Sequence, residues 1–370
     1  MKHPEAPRLA FYISGHGYGH ASRQIELLNA LGARRDANII IRTAAARWLF
    51  DRTLKTTATH LRGDCDTGIV QIDSLRLDES ATVRSARAFY NTFDERVTAE
   101  ASLLRAHAIE LVIADAPPLA CAAAAALGIP AIVIGNFTWD WIYEAYEPRF
   151  CAEAPEVLPL IRDAYSLAQE AWRLPMHGGF GTFRSVVDVP FIARHATQPR
   201  GRVLETLKLP ASRPLALSSF GGYGVDRLDP RTLDCLDDWT IVITGRAEPS
   251  ALPAGVAFVN EDELYASGLR YEDLVAAVDV VVTKPGYGII SECVANDTAL
   301  LYTSRGRFPE YDVMVREMPP VLRCAYIEQD ALLAGRWRDA LDRLRSSPQP
   351  GEKPPTNGAE VAADRILRML

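Results

Sequence analysis

The sequence predicts an α/β fold in which two parallel β-sheets, each layered by helices, follow one another along the chain. Three observations predict it. Short apolar runs alternate with helical stretches in both halves, glycine-rich loops close several of those runs, and the pattern restarts after a polar, proline-bearing stretch at 194–214. At 370 residues the chain exceeds the size at which one core usually keeps growing, so two domains are expected.

The first strand–loop–helix unit spans residues 8–31. Residues 9–13 are apolar and predict a buried strand, and the leucines and isoleucine of 21–31 recur at helical spacing. The loop between them carries glycines at alternate positions, Gly17 and Gly19 among them, which let backbone N–H groups approach a ligand closely. It also holds His16 and His20, and imidazole is suited to moving a proton near neutral pH. A tight turn with a histidine at the helix start is the alternative.

Polar side chains follow the next strands of this half. Residues 38–43 predict a second strand, with helices at 44–54 and 80–105, and the strand at 110–115 ends in Asp115. After an alanine-rich helix that ends at Leu127, the strand at 131–134 leads to Asn136. Because parallel strands end at one edge of a sheet, His20, Asp115 and Asn136 are expected in one cleft.

Two tryptophans flank an acid directly after Asn136. Trp139, Asp140 and Trp141 combine aromatic faces with polar groups, as a sugar site requires, although a loop anchored by aromatic packing is an equal alternative. The glycine- and proline-rich residues 174–183 predict a mobile loop over the same cleft. The pair Asp64 and Asp66 precedes a short apolar run at 69–70, which predicts a strand, and it favours an ordinary turn over a metal site.

The second half repeats the pattern, with strands predicted at 214–218, 239–244, 256–259, 279–283 and 299–303 and a helix at 271–277. Its first strand exits into another glycine-rich loop, which contains Gly221 and Gly222. A polar, proline-bearing tail follows at 352–357, and residues 358–370 predict an amphipathic helix long enough to cross back onto the first domain.

The strand at 279–283 runs into a second loop that suits a phosphate. Gly286 and Gly288 stand at the mouth of a helix, where free N–H groups and the helix dipole attract a pyrophosphate. Glu292, one turn inside, can accept hydrogen bonds from two ribose hydroxyls. The alternative treats Ser291 and Glu292 as simple helix-start residues. Residues 305–311 follow the next strand and can reach a sugar attached to that pyrophosphate.

Composition narrows the function classes. A formal net charge of −7 argues against a nucleic-acid or anionic-membrane surface. No apolar run is long enough to span a bilayer, and the first eight residues do not resemble a signal peptide. Six scattered cysteines without Cys-x-x-Cys spacing indicate free thiols, so a cytoplasmic protein is expected.

The order of these loops resembles the GT-B glycosyltransferases, in which two Rossmann-like domains face each other across a cleft. The resemblance extends to the peptidoglycan N-acetylglucosaminyltransferase and the UDP-glycosyltransferases, and more closely to the glycosyltransferase-like N-terminal half of plant L-arabinokinases. That closer similarity rests on residues 12–23, 113–144, 184–190 and 281–311.

The resemblance implies a role for each half. Residues 1–190 would hold the acceptor, residues 191–355 would hold the nucleotide sugar, and residues 356–370 would form the helix that packs back. His20 would be the general base, oriented by Asp115 or Asp140, and the second histidine, His16, leaves the choice of base open. Arg23 departs from the family's Gly-His-x-x-Pro pattern, where a proline stands. The expected acceptor contacts are Asn136, Trp139 and Trp141. The expected donor contacts are Gly17, Gly19, Gly221, Gly222, Lys284, Gly286, Tyr287, Gly288, Ser291, Glu292 as the ribose clamp and Glu310 at the sugar.

The resulting hypothesis is an inverting, metal-independent glycosyltransferase that moves a sugar from a nucleotide sugar, with UDP the preferred nucleotide, to a hydroxyl of a small-molecule or glycan acceptor. Neither a metal nor a further cofactor is expected. Two alternatives stay open at this point. A UDP-sugar epimerase shares the fold and needs no acceptor, and a non-catalytic nucleotide-sugar-binding module would bind without turnover.

Overall fold

Two parallel sheets organise the residues that a computed structural model of the chain describes, 6–220, 228–247 and 251–370. The first has seven strands in the order β3-β2-β1-β4-β5-β6-β7. They are β1 (Arg8–Ile13), β2 (Asn38–Thr43), β3 (Thr59–Arg62), β4 (Leu111–Asp115), β5 (Ala131–Phe137), β6 (Glu170–Gly178) and β7 (Val186–Asp188). Leu9 and Phe11 pack on one face of this sheet and Ala10 and Tyr12 on the other, so both faces are buried.

The second sheet has six strands in the order β10-β9-β8-β11-β12-β13. They are β8 (Leu215–Ser218), β9 (Thr240–Gly245), β10 (Val256–Asn260), β11 (Val280–Thr283), β12 (Ala299–Tyr302) and β13 (Cys324–Tyr326). The strand order changes direction between β1 and β4 in the first sheet and between β8 and β11 in the second. Ligands of such sheets bind at the carboxyl ends of the strands near that point.

Helices cover both sheets. The first domain contributes α1 (Tyr18–Gly32), α2 (Arg47–Thr53), α3 (Glu79–Tyr90), α4 (Phe93–Ala106), α5 (Pro118–Ala125), α6 (Trp139–Glu144), α7 (Glu147–Glu153) and α8 (Val157–Ser166). The second contributes α9 (Arg200–Thr206), α10 (Glu261–Ala266), α11 (Tyr271–Ala277), α12 (Tyr287–Asn296), α13 (Pro309–Glu317), α14 (Gln329–Leu333) and α15 (Arg338–Arg345). The last helix is α16 (Gly358–Met369).

The C-terminal helix packs on the first domain, as predicted. Ala362 and Ile366 of α16 belong to the core that α1 and β1 form, and Asp364 pairs with Arg34 just beyond α1. The predicted α/β fold with two facing domains is therefore confirmed. The change of sheet falls between β7 and β8, and the boundaries set at residues 190 and 355 stay predictions.

Each domain also inserts one loop into the other. Leu75 is buried in the core of the second sheet, and Ser74 Oγ donates a hydrogen bond of 2.6 Å to the Phe220 carbonyl. In the opposite direction Phe308 is buried in the core of the first domain, and the Arg307 carbonyl accepts a hydrogen bond from Tyr146. The two domains are thus held together at their facing edges by a reciprocal exchange of apolar side chains.

Three local predictions were wrong. The helix predicted over 80–105 is two helices, because α3 ends at Tyr90, where the chain bends through residues 91–92 so that Tyr90 and Phe93 both reach the core. Residues 174–178 belong to β6 rather than to a loop, since alternate side chains of this strand are buried. Residues 69–70, predicted as strand, lie outside the named strands, and the neighbouring Gln71 forms only an isolated bridge with Leu77.

Candidate functional site

His20 lies at the start of α1, directly beyond the carboxyl end of β1. The turn into the helix passes through Gly17, whose φ of 79° is a left-handed conformation that favours glycine. The His20 side chain is buried, and its Nδ1 atom lies 2.7 Å from Oδ1 of Asp115. Its ring meets the Phe137 ring edge to face at 5.5 Å. The expected meeting of side chains from the ends of β1 and β4 therefore occurs.

Asp115 is fully buried and surrounded by donors. Arg23 donates from Nε to Oδ2 at 2.9 Å and from Nη2 to Oδ1, and Gln24 donates to Oδ2 at 2.8 Å. Burial opposes the ionisation of this carboxyl, but the Arg23 guanidinium and then His20 hold its pKa well below the ordinary value. Asp115 is consequently a fixed anion behind the imidazole.

The backbone after Asp115 is strained. Ala116 has a φ of 74°, which is unusual for a residue with a Cβ, and Tyr165 donates a 2.6 Å hydrogen bond to its carbonyl. Strain of this kind persists only where the surroundings hold it and is concentrated at functional sites. Ala116 directly follows Asp115, so this strained residue lies at the candidate site.

His16 has a different environment. Its Nε2 lies 3.1 Å from Nε2 of Gln71, and its ring meets Trp139 edge to face at 5.8 Å. Burial, followed by repulsion from His20, Arg305 and Lys284, lowers the pKa of His16 to about 3. The His16 ring is therefore uncharged at neutral pH, and no carboxylate among the described residues orients it.

The start of α12 in the second domain lies against the start of α1 in the first. A Cβ on Gly288 would lie 3.6 Å from the Cα of Gly19, so the first turns of α1 and α12 meet at the junction of the domains. The aromatic ring of Tyr287 lies 6.1 Å from that of Phe137. Gly286 occupies the N-cap position of α12 in an extended conformation. Two helix N-termini, each carrying partial positive charge, thus converge.

Basic side chains add to this positive charge. Lys284 precedes α12, and burial, followed by repulsion from Arg305, lowers its pKa to about 7. Arg305 is buried and pairs with Glu310 at 3.3 Å, while Arg305 Nε and Glu310 Oε2 are buried without partners among the described residues. Buried charged atoms without partners are costly unless a ligand meets them. The cluster of Lys284, Arg305 and Glu310 therefore suits a polyanionic, polyhydroxylated ligand.

The predicted ribose clamp, Glu292, is buried in the second turn of α12. Its Oε1 accepts a 2.7 Å hydrogen bond from Arg194 Nε, and its Oε2 is buried without a partner among the described residues. Burial raises the pKa of Glu292 despite the opposing charge of Arg194. Arg194 also lies 3.4 Å from Glu272, which is fully buried. One carboxylate oxygen of Glu292 is consequently free for a hydroxyl group.

The other residues predicted to bind the nucleotide-sugar donor lie in different parts of the structure. Ser291 is buried, and its hydroxyl donates to the Gly288 carbonyl within the helix. Gly17 and Gly19 lie at the start of α1 with open space at their Cβ positions. Gly221 and Gly222 lie outside the described residues. The donor roles of all these residues stay predictions.

The three predicted acceptor residues belong to the first domain and differ in their surroundings. Asn136 accepts from Arg23 Nη1 and donates to the Pro175 carbonyl at 2.7 Å, so its amide is engaged within the protein. Trp139 is 1% exposed, and its Nε1 donates to Asp66 at 2.8 Å. Trp141 is partly buried and contributes to the cores of both domains. Of these three side chains, that of Trp141 has the largest exposed fraction.

Asp140 and Asp115 lie in different surroundings. Asp140 accepts a 3.0 Å hydrogen bond from Thr182, and its other oxygen is buried without a partner among the described residues. The carboxylate hydrogen-bonded to His20 is that of Asp115. Of the two acids that the sequence offered to orient the imidazole, the geometry therefore favours Asp115.

Three residues that the sequence did not indicate contact the predicted site residues: Arg23 contacts Asp115, Arg194 contacts Glu292, and Asp66 contacts Trp139. The Asp66 carboxylate accepts from Ser14 at 3.1 Å and from Trp139, and burial raises its pKa to about 6. A turn predicted over residues 64–66 gives no indication of the contact with Trp139, because that contact depends on how the first domain folds. Among the described residues no group of three or more His, Cys, Asp or Glu side chains is arranged to hold a metal. No helix within those residues is long and apolar enough to cross a bilayer.

Comparison with known sequences gives one relative. No protein-family model matches the chain. The L-arabinokinase of Arabidopsis thaliana is 28% identical to it over 359 residues, which are 96% of this chain and 33% of that protein. The chain therefore spans about a third of the length of the curated relative it matches.

Comparison with solved structures concerns the fold. The glycosyltransferase of kitacinnamycin superimposes with a TM-score of 0.67 at 18% identity, covering 99% of this chain and all of its own. UGT2 of Phytolacca americana, solved with UDP-2-fluoro-glucose and pterostilbene, gives a TM-score of 0.61 at 13% identity, covering 98% and 94% of the two chains. At such identities the likeness establishes the fold, which is the two-domain GT-B arrangement of these glycosyltransferases.

Proposed function

We propose that this protein is a glycosyltransferase that moves a sugar from a nucleotide sugar, preferably a UDP-sugar, to a hydroxyl of a small-molecule or glycan acceptor. One observation carries the proposal. The buried His20–Asp115 pair on one domain faces, across the domain junction, a helix N-terminus with Lys284 and Arg305 beside it on the other. A base opposite a cradle for phosphate is what transfer from a nucleotide sugar requires.

His20 is the general base of the proposed reaction. The acceptor hydroxyl loses its proton to Nε2 of His20 as its oxygen forms a bond to the anomeric carbon of the sugar. The bond between that carbon and the diphosphate oxygen breaks on the opposite face, which inverts the anomeric configuration. Asp115 stabilises the imidazolium that results, in the manner of the acid in a catalytic triad. His16 is less suited to this role, because its pKa of about 3 makes it a weak base.

The second domain receives the leaving nucleoside diphosphate. The free N–H groups of the first turn of α12, together with Lys284 and Arg305, stabilise the negative charge that develops on the diphosphate. Glu292 accepts a ribose hydroxyl on its free oxygen, and Glu310 accepts a hydroxyl of the sugar. Because these groups supply the positive charge themselves, the proposed reaction needs no divalent metal. A nucleotide sugar is also the ligand of the Phytolacca americana structure, which supports this type of donor.

The test is a transfer assay with matched histidine variants. Purified protein is incubated with a panel of nucleotide sugars and hydroxyl acceptors, and release of nucleoside diphosphate is measured together with the glycoside product. His20→Ala should lower kcat by about 10²- to 10⁴-fold, the usual contribution of a general base. His16→Ala, the matched control, should retain most of the rate.

Three further measurements complete the test. Proton NMR of the product reports the anomeric configuration, and activity in the presence of EDTA tests the independence from metal. Conversion of a UDP-sugar in the absence of acceptor would instead indicate an epimerase. Full activity of His20→Ala, or binding of nucleotide sugars without turnover across the whole panel, would overturn the proposal.

A further inference from the structure

Arg23 holds a position beside the proposed base that the reaction does not itself require. It lies one turn after His20 on α1, and 9% of the residue is exposed. Its Nε and Nη2 donate to the two oxygens of Asp115, and its Nη1 donates to Asn136 Oδ1. The same Nη2 lies 3.1 Å from Nδ1 of His20. The guanidinium is therefore in contact with both members of the pair.

The hydrogen bonds define which nitrogen of His20 carries the proton. A carboxylate accepts and never donates, and it offers about four acceptor positions. Those of Asp115 are met by Arg23 Nε, Arg23 Nη2, Gln24 Nε2 and His20 Nδ1. Because the Nδ1–Oδ1 contact, at 2.7 Å, is shorter than the contact with Arg23, Nδ1 carries a proton, and a neutral ring then has its lone pair on Nε2. This is the tautomer that a general base needs.

Charge balance explains why an arginine is present. His20, Arg23 and Asp115 are all buried, and buried charges are stable only when they are paired. A lone Asp115 would be balanced by a second proton on His20, and a charged imidazole cannot accept the proton of the acceptor. With Arg23 present, the guanidinium balances the carboxylate and His20 stays neutral. Of the other titratable groups nearby, His16 is uncharged. Asp66 is ionised above about pH 6, but its carboxylate accepts hydrogen bonds from Ser14 and Trp139 and none from His20.

We propose that Arg23 is a positioning residue that supplies the counter-charge of Asp115, and so keeps His20 neutral and protonated on Nδ1 until the acceptor hydroxyl arrives. This inference rests on the proposed function, because it assigns a purpose to a neutral His20. It concerns the state of the imidazole in the free protein, however, and can be tested without turnover.

The first experiment uses the unaltered protein. The ring ¹⁵N shifts of His20, assigned from the signal that is missing in His20→Gln, report both its charge and its tautomer. The expected spectrum at pH 7 is that of a neutral ring with its proton on Nδ1. A charged ring, or a neutral ring with its proton on Nε2, would overturn the inference even if the protein transfers sugars.

The second experiment uses two variants of Arg23 and one control. Arg23→Met keeps the apolar length and removes the charge, so the His20 ring should be charged at pH 7 and the acid limb of the kcat/KM profile should move to higher pH by one unit or more. Arg23→Lys keeps the charge and loses the two-pronged contact, so the ring should stay neutral while the rate falls. Arg34→Met removes an exposed arginine of the same region that pairs with Asp364, and it should leave the spectrum and the profile unchanged.

A purely structural role for Arg23 predicts something else. Arg23→Met would then lower stability and rate at every pH, with a neutral ring and a profile of unchanged shape, and that result would refute the inference. If Arg23→Met does not fold, the spectrum of the unaltered protein and of Arg23→Lys decides the question. Absence of transfer in the unaltered protein, combined with the expected ring signals, would contradict the proposed function and leave the assignment of Arg23 intact.

Discussion

Lys284 carries the sharpest prediction, because one substitution should change stability and ligand affinity in opposite directions. Its ammonium group has no hydrogen-bond or ion-pair partner in the part of the chain that the structure describes, and Arg305 repels it more strongly than Glu310 attracts it. The pKa of a lysine in the unfolded chain is near 10.5, and burial and Arg305 lower it to about 7 in the folded protein. The charge on Lys284 therefore destabilises the free protein, because the neighbouring side chains do not fully balance it. Replacement by methionine removes that charge and keeps the apolar stem.

The magnitude follows from proton linkage. Between pH 7 and 10.5 the unfolded chain binds more protons at this site than the folded protein does, so the stability of the unaltered protein rises with pH in that window and the full penalty applies below pH 7. At about 1.36 kcal/mol per pH unit, a change in pKa from 10.5 to about 7 gives an upper limit of roughly 5 kcal/mol. Because residual hydration reduces this figure, we expect Lys284→Met to raise the free energy of unfolding at pH 6 by about 1–3 kcal/mol.

Affinity for a nucleoside diphosphate should change the other way. A charged Lys284 meets the diphosphate, so UDP binding to the unaltered protein should weaken by about tenfold per pH unit above 7. Lys284→Met should bind UDP about 10- to 100-fold more weakly at pH 6, equivalent to roughly 1.4–2.7 kcal/mol, and without this pH dependence. Titration calorimetry with UDP and urea unfolding between pH 6 and 9 give the two quantities. Lys353→Met, at an exposed position of the tail, is the matched control and should change neither.

Two outcomes would refute this reasoning. If Lys284→Met destabilises the free protein at pH 6, the ammonium is balanced after all, by Glu310 or by a group outside the described residues. If its affinity for UDP and the pH dependence of that affinity match those of the unaltered protein, Lys284 does not meet the diphosphate. Stabilisation of the free protein combined with loss of affinity is the signature of a residue kept for function at a cost in stability.

Three further substitutions test other parts of the structure. Burial raises the pKa of Asp66 to about 6, so this group binds a proton more tightly in the folded protein than in the unfolded chain. The free energy of unfolding should therefore fall by about 1–3 kcal/mol as the pH rises from about 4 to 6. Asp66→Asn should remove this fall in urea unfolding measured across that pH range. Ala116→Gly should relieve the left-handed backbone and stabilise the protein by up to about 1 kcal/mol in thermal unfolding, whereas the control Ala30→Gly, inside α1, should destabilise it by about the same amount. Phe308→Ala should lower the free energy of unfolding by about 3 kcal/mol, and a loss below 1 kcal/mol would mean that this loop contributes little to holding the domains together.

The fold could be predicted because its signals are local. Residues 9–13, 110–115 and 279–283 are short, apolar and bounded by turn residues, and each became a buried strand of a parallel sheet. The proximity of His20 and Asp115 was equally predictable, since the carboxyl ends of parallel strands lie at one edge and β1 pairs with β4. The contact between His20 and Asp115 was therefore predictable from geometry that all parallel sheets share.

The partners of these residues could not be predicted in the same way. Arg23 is a polar residue in the middle of a helix, where an arginine usually faces solvent, and only its contacts with β4 show that it is buried. Arg194 lies in a polar, proline-bearing stretch, and its contact with Glu292 depends on how the second domain folds back on that stretch. Asp140 and Asp115 were equivalent in the sequence, and their different surroundings follow from the entry of Asp140 into α6, where it meets Thr182. Contacts of this kind are properties of the tertiary structure alone.

The charges at the junction of the two domains bear directly on the proposed binding of a nucleotide sugar. The first turns of α1 and α12 meet there with like partial charges, and Lys284 and Arg305 lie nearby, so the junction concentrates positive charge that the described residues balance incompletely. Contacts at the periphery oppose this repulsion, among them the Arg270–Glu26 pair at 2.7 Å. A dianionic diphosphate between the helices would supply the missing negative charge. Under the proposed function, binding of the donor therefore stabilises the contact between the two domains.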